Sequence, residues 1–183
     1  MIKVGISGKI ASGKSEVERI IKEKGYLVFD LDIISHELLE KNDNVKTLIL
    51  EEFNTLNRKK IGEIVFSDSN KKTKLENIIY PEMKKIIFDI FEKYKNEKAI
   101  FISGALLFKS NFAEFFDKTI FVDAIESVRL ERLMKRNNLN EAQARMRLNL
   151  QDDSALADFV VVNDGTIEDL KVEIEKLFEE IFV

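Results

Sequence analysis

Apolar positions recur along this chain in two rhythms that alternate. The opening run MIKVGIS, residues 1–7, is apolar enough to read as a buried strand despite Lys3, and residues 14–24 follow with Val17, Ile20 and Ile21 on one helical face. Gly25 marks a natural stop for that helix, and YLVFD at 26–30 is again apolar over the length of a short strand. Strand, loop, helix, strand is a βαβ unit, which implies parallel pairing through a right-handed crossover. Residues 33–94 keep a helical period, with helices predicted at 33–41, 45–53, 59–66 and 71–94. Pro81, the sole proline, is expected to begin, break or kink the last of them. Strand-like runs return as AIFIS (99–103), TIFVD (119–123) and DFVVV (158–162), with a helical pair predicted at 126–136 and 141–151. The final helix opens at TIED, with Thr166 as its N-cap and Asp169 three residues on. Leu170, Ile174, Leu177 and Ile181 form its buried stripe. This order predicts a doubly wound α/β core around five strands, with 33–94 and 126–151 as helical excursions from it.

The loop between the first strand and helix changes the picture from architecture to chemistry. It reads GKIASGKS, residues 8–15, and so spends two of only 7 glycines on the pattern G-x-x-x-x-G-K-S. A polyphosphate needs several donors converging on it, and a chain that curls around an anion supplies them as backbone N–H groups. Gly8 and Gly13 permit the curl, and the following helix points its positive end at the same place. The loop residues Gly8, Lys9, Ile10, Ala11, Ser12, Gly13, Lys14, Ser15 and Glu16 are therefore the expected nucleotide-phosphate site. Lys14 would reach the β- and γ-phosphates and the Ser15 hydroxyl would ligate Mg²⁺. The pattern is strong for nucleotide phosphate and weak for the acceptor.

Asp30 and Asp32, in DLD, close the second strand, the end at which open parallel sheets bind ligands. An acidic side chain near a transferred phosphoryl group can take a substrate's hydroxyl proton. An aspartate before IISHELL also makes a good helix cap, so one residue can serve each purpose. Arg132 and Arg136 share a helical face at i, i+4, and Arg145 and Arg147 follow on the next helix. On spacing alone these read as a solvated basic face paired with Glu131 and Glu141.

Composition bounds the remaining classes. With 183 residues, 45% hydrophobic and 34% charged, the chain suits one domain with small inserted subdomains. A net charge of −4 argues against broad nucleic-acid binding, which calls for a basic face. There is no cysteine, so disulfides and thiolate metal sites are excluded. No apolar run approaches the roughly 18 residues of a membrane span, and the start reads as a strand rather than a signal. A cytoplasmic protein, monomeric or weakly self-associating, is expected.

Several spaced motifs in order resemble the bacterial dephospho-coenzyme A kinase family over nearly the full chain. The family's G-G-I-G-S-G-K-S loop stands here as GKIASGKS, and its aspartate–x–aspartate segment as DLDIISHELL. LNRKKIGEIVF, YP at Tyr80 and Pro81, ALLFK at 105–109, RLERLMKRNNL, RMRLNLQ and ADFVVVNDG match further family segments. The resemblance implies a three-layer P-loop kinase fold with a central parallel five-stranded sheet. It makes 33–94 a helical acceptor-binding subdomain and 126–151 a helical lid of one kinase domain spanning 1–183. It implies transfer of the γ-phosphoryl of ATP to the ribose 3′-hydroxyl of dephospho-coenzyme A, with Mg²⁺. Asp32 falls on the family's proposed base, while Asp30 would help position the hydroxyl or the magnesium shell. Arg136 would reach ATP from the lid and act with Lys14, and Asn163 and Gly165 fall where the family contacts adenine. Arg58, Tyr80 and Leu106 fall in the acceptor region. The chain departs from the family pattern at Lys9 and Ala11 (both glycine there), Glu16 (threonine), Tyr80 (histidine) and Lys109 (glutamate), and in a shorter segment after Gln151. Two other readings share the loop: a nucleoside monophosphate or shikimate-type kinase, and a non-catalytic nucleotide-binding relative.

Overall fold

The computed structural model describes residues 1–105, 107–108, 112–148 and 157–182. Five strands, β1 (Ile2–Gly8), β2 (Leu27–Asp30), β3 (Ala99–Ser103), β4 (Lys118–Asp123) and β5 (Phe159–Val162), form one sheet in the order β2-β3-β1-β4-β5. The first strand is central: it pairs in parallel with β3, Val4 opposite Phe101, and with β4, Ile6 opposite Ile120. β4 pairs in parallel with β5, and Asp158 closes that edge by accepting from the Thr119 amide at 2.7 Å and its hydroxyl at 2.8 Å.

Alternation along β1 explains the layers. Val4 and Ile6 are fully buried in a core shared with helix α1 (Lys14–Glu23) and helix α8 (Ile167–Ile181). On the other face Gly5 leaves room for a ring: a Cβ there would lie 2.9 Å from Phe116. The predicted face of α1 and stripe of α8 are both buried in this core. Tyr26 finishes it, edge-on to Phe101 and Phe178 and stacked on Phe182, with ring centroids 5.2–5.6 Å apart. The predicted cap of α8 is a full capping box between Thr166 and Asp169.

The chain divides into two compact units, Met1–Phe29 with Asn96–Val183, and Asp30–Lys95. The first holds the sheet, α1, α8 and the pair α6 (Glu126–Asn137) and α7 (Glu141–Leu148). Residues 149–151, predicted to end that pair, lie outside the described residues.

The second unit is helical: α2 (Leu31–Lys41), α3 (Asp43–Phe53), α4 (Arg58–Ser67) and α5 (Ser69–Lys93). Each start is capped by a side-chain oxygen, from Asp30, Asn42, Asn57 and Asp68 in turn. Val45, Ile49, Phe53 and Ile61 form one buried cluster within it. The predicted break at Pro81 does not occur as the start or end of a helix, since α5 runs on through it. An interior proline forfeits one helical hydrogen bond at a cost of about 3 kcal/mol. Burial of Ile79, Met83 and Ile87 on either side offsets that cost.

Candidate active site

The loop after β1 is shaped by a small number of main-chain requirements. The Lys9 amide donates to the Val122 carbonyl at 3.1 Å, and the Ser12 amide closes a turn onto the Lys9 carbonyl at 3.0 Å. A Cβ on Gly8 would meet the Val122 carbonyl oxygen at 2.6 Å, so only glycine lets the loop lie this close to β4. Gly13 has φ 95° and forms the N-cap of α1. Having no side chain, it leaves the helix's first amides open to an anion, where a serine or aspartate would have filled them.

Three elements hold this loop. Asn163, buried at the end of β5, donates from Nδ2 to the Ser12 carbonyl at 2.8 Å. It covers Gly13 so closely that a Cβ there would sit 2.0 Å from the same nitrogen. Arg132 on α6 donates from Nη1 to the Asn163 carbonyl at 2.9 Å and to the Ser12 carbonyl at 3.3 Å. Lys9 extends its ammonium to Asp123 at the end of β4, 2.7 Å away. Ile10 and Ala11 pack against the small core of α6 and α7, around Leu133, Ala144 and Leu148.

Ala11 has φ 61°, the left-handed region in which an alanine costs about 1–2 kcal/mol. The family pattern has glycine at this position, and the backbone here keeps the glycine-type conformation. Glu16, where the pattern has threonine, turns along the helix surface to Arg19, which donates to it from Nε at 3.0 Å. Hydrogen bonding from Arg19 holds the Glu16 carboxyl below the usual carboxylate range. Ser15 stands exposed on the first turn. A hydroxyl at this position suits Mg²⁺, which takes one or two protein oxygens and completes its shell from phosphates and water. Among the described residues no cluster of three acidic or histidine side chains forms a separate metal site.

Lys14 has partners of its own. Its ammonium lies 2.7 Å from the Glu18 carboxylate and 3.4 Å from the Ser103 hydroxyl at the end of β3. Asp123, Glu18 and the loop-binding role of Arg132 were not read from the sequence. For Arg132 the expectation of a solvated basic face is corrected: it is half-buried against the loop, because the i, i+4 spacing identifies a helix face but not what that face meets. Arg136, one turn on, is exposed and donates to the Asn137 side chain at 3.0 Å. Arg145 makes the surface pair with Glu141 that was expected, and a second with Glu126 that was not. Gly165 directly precedes the α8 capping box, and a Cβ there would meet Asp169 at 2.6 Å.

In the helical unit, Asp30 is the cap of α2, accepting from the Asp32 amide at 2.8 Å. Asp32 is exposed on that helix's first turn. Arg58 is exposed at the start of α4, and Leu106 lies outside the described residues. Tyr80 is half-buried on α5. Burial first, then the Glu76 carboxylate to which it hydrogen-bonds, push its pKa well above the usual phenol value. It is a neutral hydrogen-bonding group at any working pH.

A parallel sheet whose central strand runs into a glycine-bracketed loop and an uncapped helix defines a P-loop kinase fold. The family model described as dephospho-CoA kinase matches residues 2–169. A dephospho-CoA kinase of Oceanobacillus iheyensis is 31% identical over 97% of this chain and 96% of its own. Among solved structures, TT1252 from Thermus thermophilus superposes with a TM-score of 0.83 at 28% identity, covering 98% of this chain and 97% of that one. The dephospho-CoA kinase from Campylobacter jejuni superposes with a TM-score of 0.70 at 29% identity, covering 98% and 96%. The chain belongs to the dephospho-CoA kinase family.

Proposed function

We propose that this chain transfers the γ-phosphoryl group of ATP to the ribose 3′-hydroxyl of dephospho-coenzyme A, giving coenzyme A and ADP. The observation that carries the reading is the uncapped start of α1, beneath a loop fixed from β4, β5 and α6, in a member of this family. The loop amides and the positive end of α1 receive the phosphates without reorganising, which is where such sites gain most of their rate. Lys14 neutralises charge on the transferred group, and Arg136 adds a second cation toward ATP. Ser15 and the phosphates would hold Mg²⁺, which supplies further charge neutralisation when bound. Asp32 accepts the 3′-hydroxyl proton as that oxygen bonds to the γ-phosphorus and the bond to the β,γ-bridging oxygen breaks. Asp30 fixes the turn that presents Asp32. Asn163 and Gly165 take the adenine side, Arg58, Tyr80 and Leu106 contribute to the acceptor side, and the helical stretch 33–94 forms much of that side. The pair at 126–151 serves as the lid.

Work of this kind belongs in the cytoplasm, and the reading asks for no second copy of the chain; no helix among the described residues is long and apolar enough to cross a membrane. The test is turnover by purified protein with Mg-ATP and dephospho-coenzyme A, followed by mass spectrometry of the acceptor. Equal assays with nucleoside monophosphates and shikimate run beside it. Coenzyme A is the expected product. Phosphorylation of another acceptor in its place overturns the substrate, and ATP binding without any transfer overturns catalysis.

A further inference from the structure

Glu18 has no part in the reading above, yet it makes the shortest polar contact of the loop's lysine. The carboxylate and the Lys14 ammonium are 2.7 Å apart, with side chains only 9% and 16% exposed. Helical side chains lean toward the N-terminus, so Glu18 reaches back over one turn to the loop. As a device for helix stability the pair is poorly ordered. An acid preceding a lysine by four residues is the favourable arrangement, and here the lysine comes first, at the positive end of the helix. The other acids of α1 are occupied elsewhere: Glu16 and Glu23 both pair with Arg19 on the exposed side. Ser103, fully buried, accepts a longer bond from the same ammonium and keeps it within the loop.

We infer that Glu18 is a stand-in anion for Lys14: it cancels the lysine's charge until nucleotide binds and must yield the ammonium to the β- and γ-phosphates. Glu18 is thus a positioning residue that sets how tightly nucleotide di- and triphosphates bind. The inference rests on the loop being the nucleotide site. An arriving polyphosphate meets a lysine already neutralised and a carboxylate of its own sign, in a place too dry for water to screen it. Nucleotide affinity is therefore held below what the loop's geometry allows. A nucleoside monophosphate, lacking the phosphates that Lys14 reaches, does not meet this opposition.

The experiment measures Kd by calorimetry for Mg-ATP, Mg-ADP and AMP on wild type, Glu18→Gln and Glu18→Ala, with Glu23→Gln as a variant that removes an equal charge from the far side of the helix. The glutamine keeps shape and hydrogen bond while removing the charge, and the alanine provides a second reading should the glutamine variant fold poorly. Both Glu18 variants should bind ATP and ADP about tenfold more tightly, with AMP changed by less than about twofold and Glu23→Gln near wild type. Unchanged or weaker ATP binding in the Glu18 variants overturns the inference, as does an equal gain for AMP or in Glu23→Gln. Wild type failing to bind Mg-ATP at all overturns the nucleotide site itself, a different result from wild type binding and the variants showing no gain.

Discussion

The two ends of the proposed reaction are built in contrasting ways. The nucleotide loop is gripped: its amides and carbonyls are held by Val122, Asn163 and Arg132, and glycine is required at Gly8 and Gly13 by atoms at 2.6 Å and 2.0 Å from where a Cβ would be. The turn at Asp30 carries a cap bond from the Asp32 amide, and the acid beside it, Asp32, is exposed. A phosphate tail is recognised by main chain, which must be preshaped, whereas a hydroxyl proton needs one carboxylate at the end of a well-fixed helix. The first kind of site tolerates few residues at many positions, and the second depends heavily on one.

Substitutions can break this contrast, and the largest effect should come from removing the lysine. Lys14→Ala should lower kcat/KM for ATP by about a thousandfold or more while circular dichroism stays that of the folded wild type. A loss under tenfold would mean that the gripped loop works without its cation. Next, Asp32→Asn should cost about 10²- to 10⁴-fold in kcat with ATP affinity and stability near wild type. Asp30→Ala should instead lower stability by about 1 kcal/mol in urea unfolding, through loss of the α2 cap. If the two variants share one phenotype, cap and base are not separate jobs.

Gly13→Ala tests the gripped side itself. The left-handed backbone and the Asn163 amide should together cost about 2–3 kcal/mol of stability, read by the same unfolding. Adding Asn163→Ala should return part of that loss, a coupling that independent sites do not show. The smallest effect concerns Asp169, beyond Gly165. Its carboxyl is held below the usual range, first by the Thr166 amide and then by the Thr166 hydroxyl. A lowered folded pKa gives stability that is complete above the ordinary carboxylate value near 4 and is lost as pH falls through the lowered one. Asp169→Asn should therefore melt slightly lower than wild type at pH 7, with the gap closing in strong acid.

Much of the gripped region could be read from the sequence because main-chain geometry restricts residue type. Two glycines, a lysine and a serine at fixed spacing between a strand and a helix admit few other meanings. Two caps were legible for the same reason, Thr166 with Asp169 and an aspartate of DLD, while those at Asn42, Asn57 and Asp68 were not read. At Pro81 local propensity favours a helix boundary or a kink, and apolar packing along α5 carries the helix through without a boundary. Arg132 and Glu18 stayed hidden for a common cause. Spacing tells which side chains share a face, and both sit at i, i+4 from a residue of interest, but what lies opposite is a tertiary fact. Asn163 was placed through family resemblance, and its grip on Ser12 depends on strand order, which no local pattern contains.

That grip has a consequence for how the molecule is made. The side chains that hold the phosphate loop, Arg132 and Asn163, stand more than a hundred residues after it in the chain. A nascent or truncated chain ending before β5 carries the full motif without the pocket. Removal of β5 is therefore expected to weaken nucleotide capture although every residue of the loop remains.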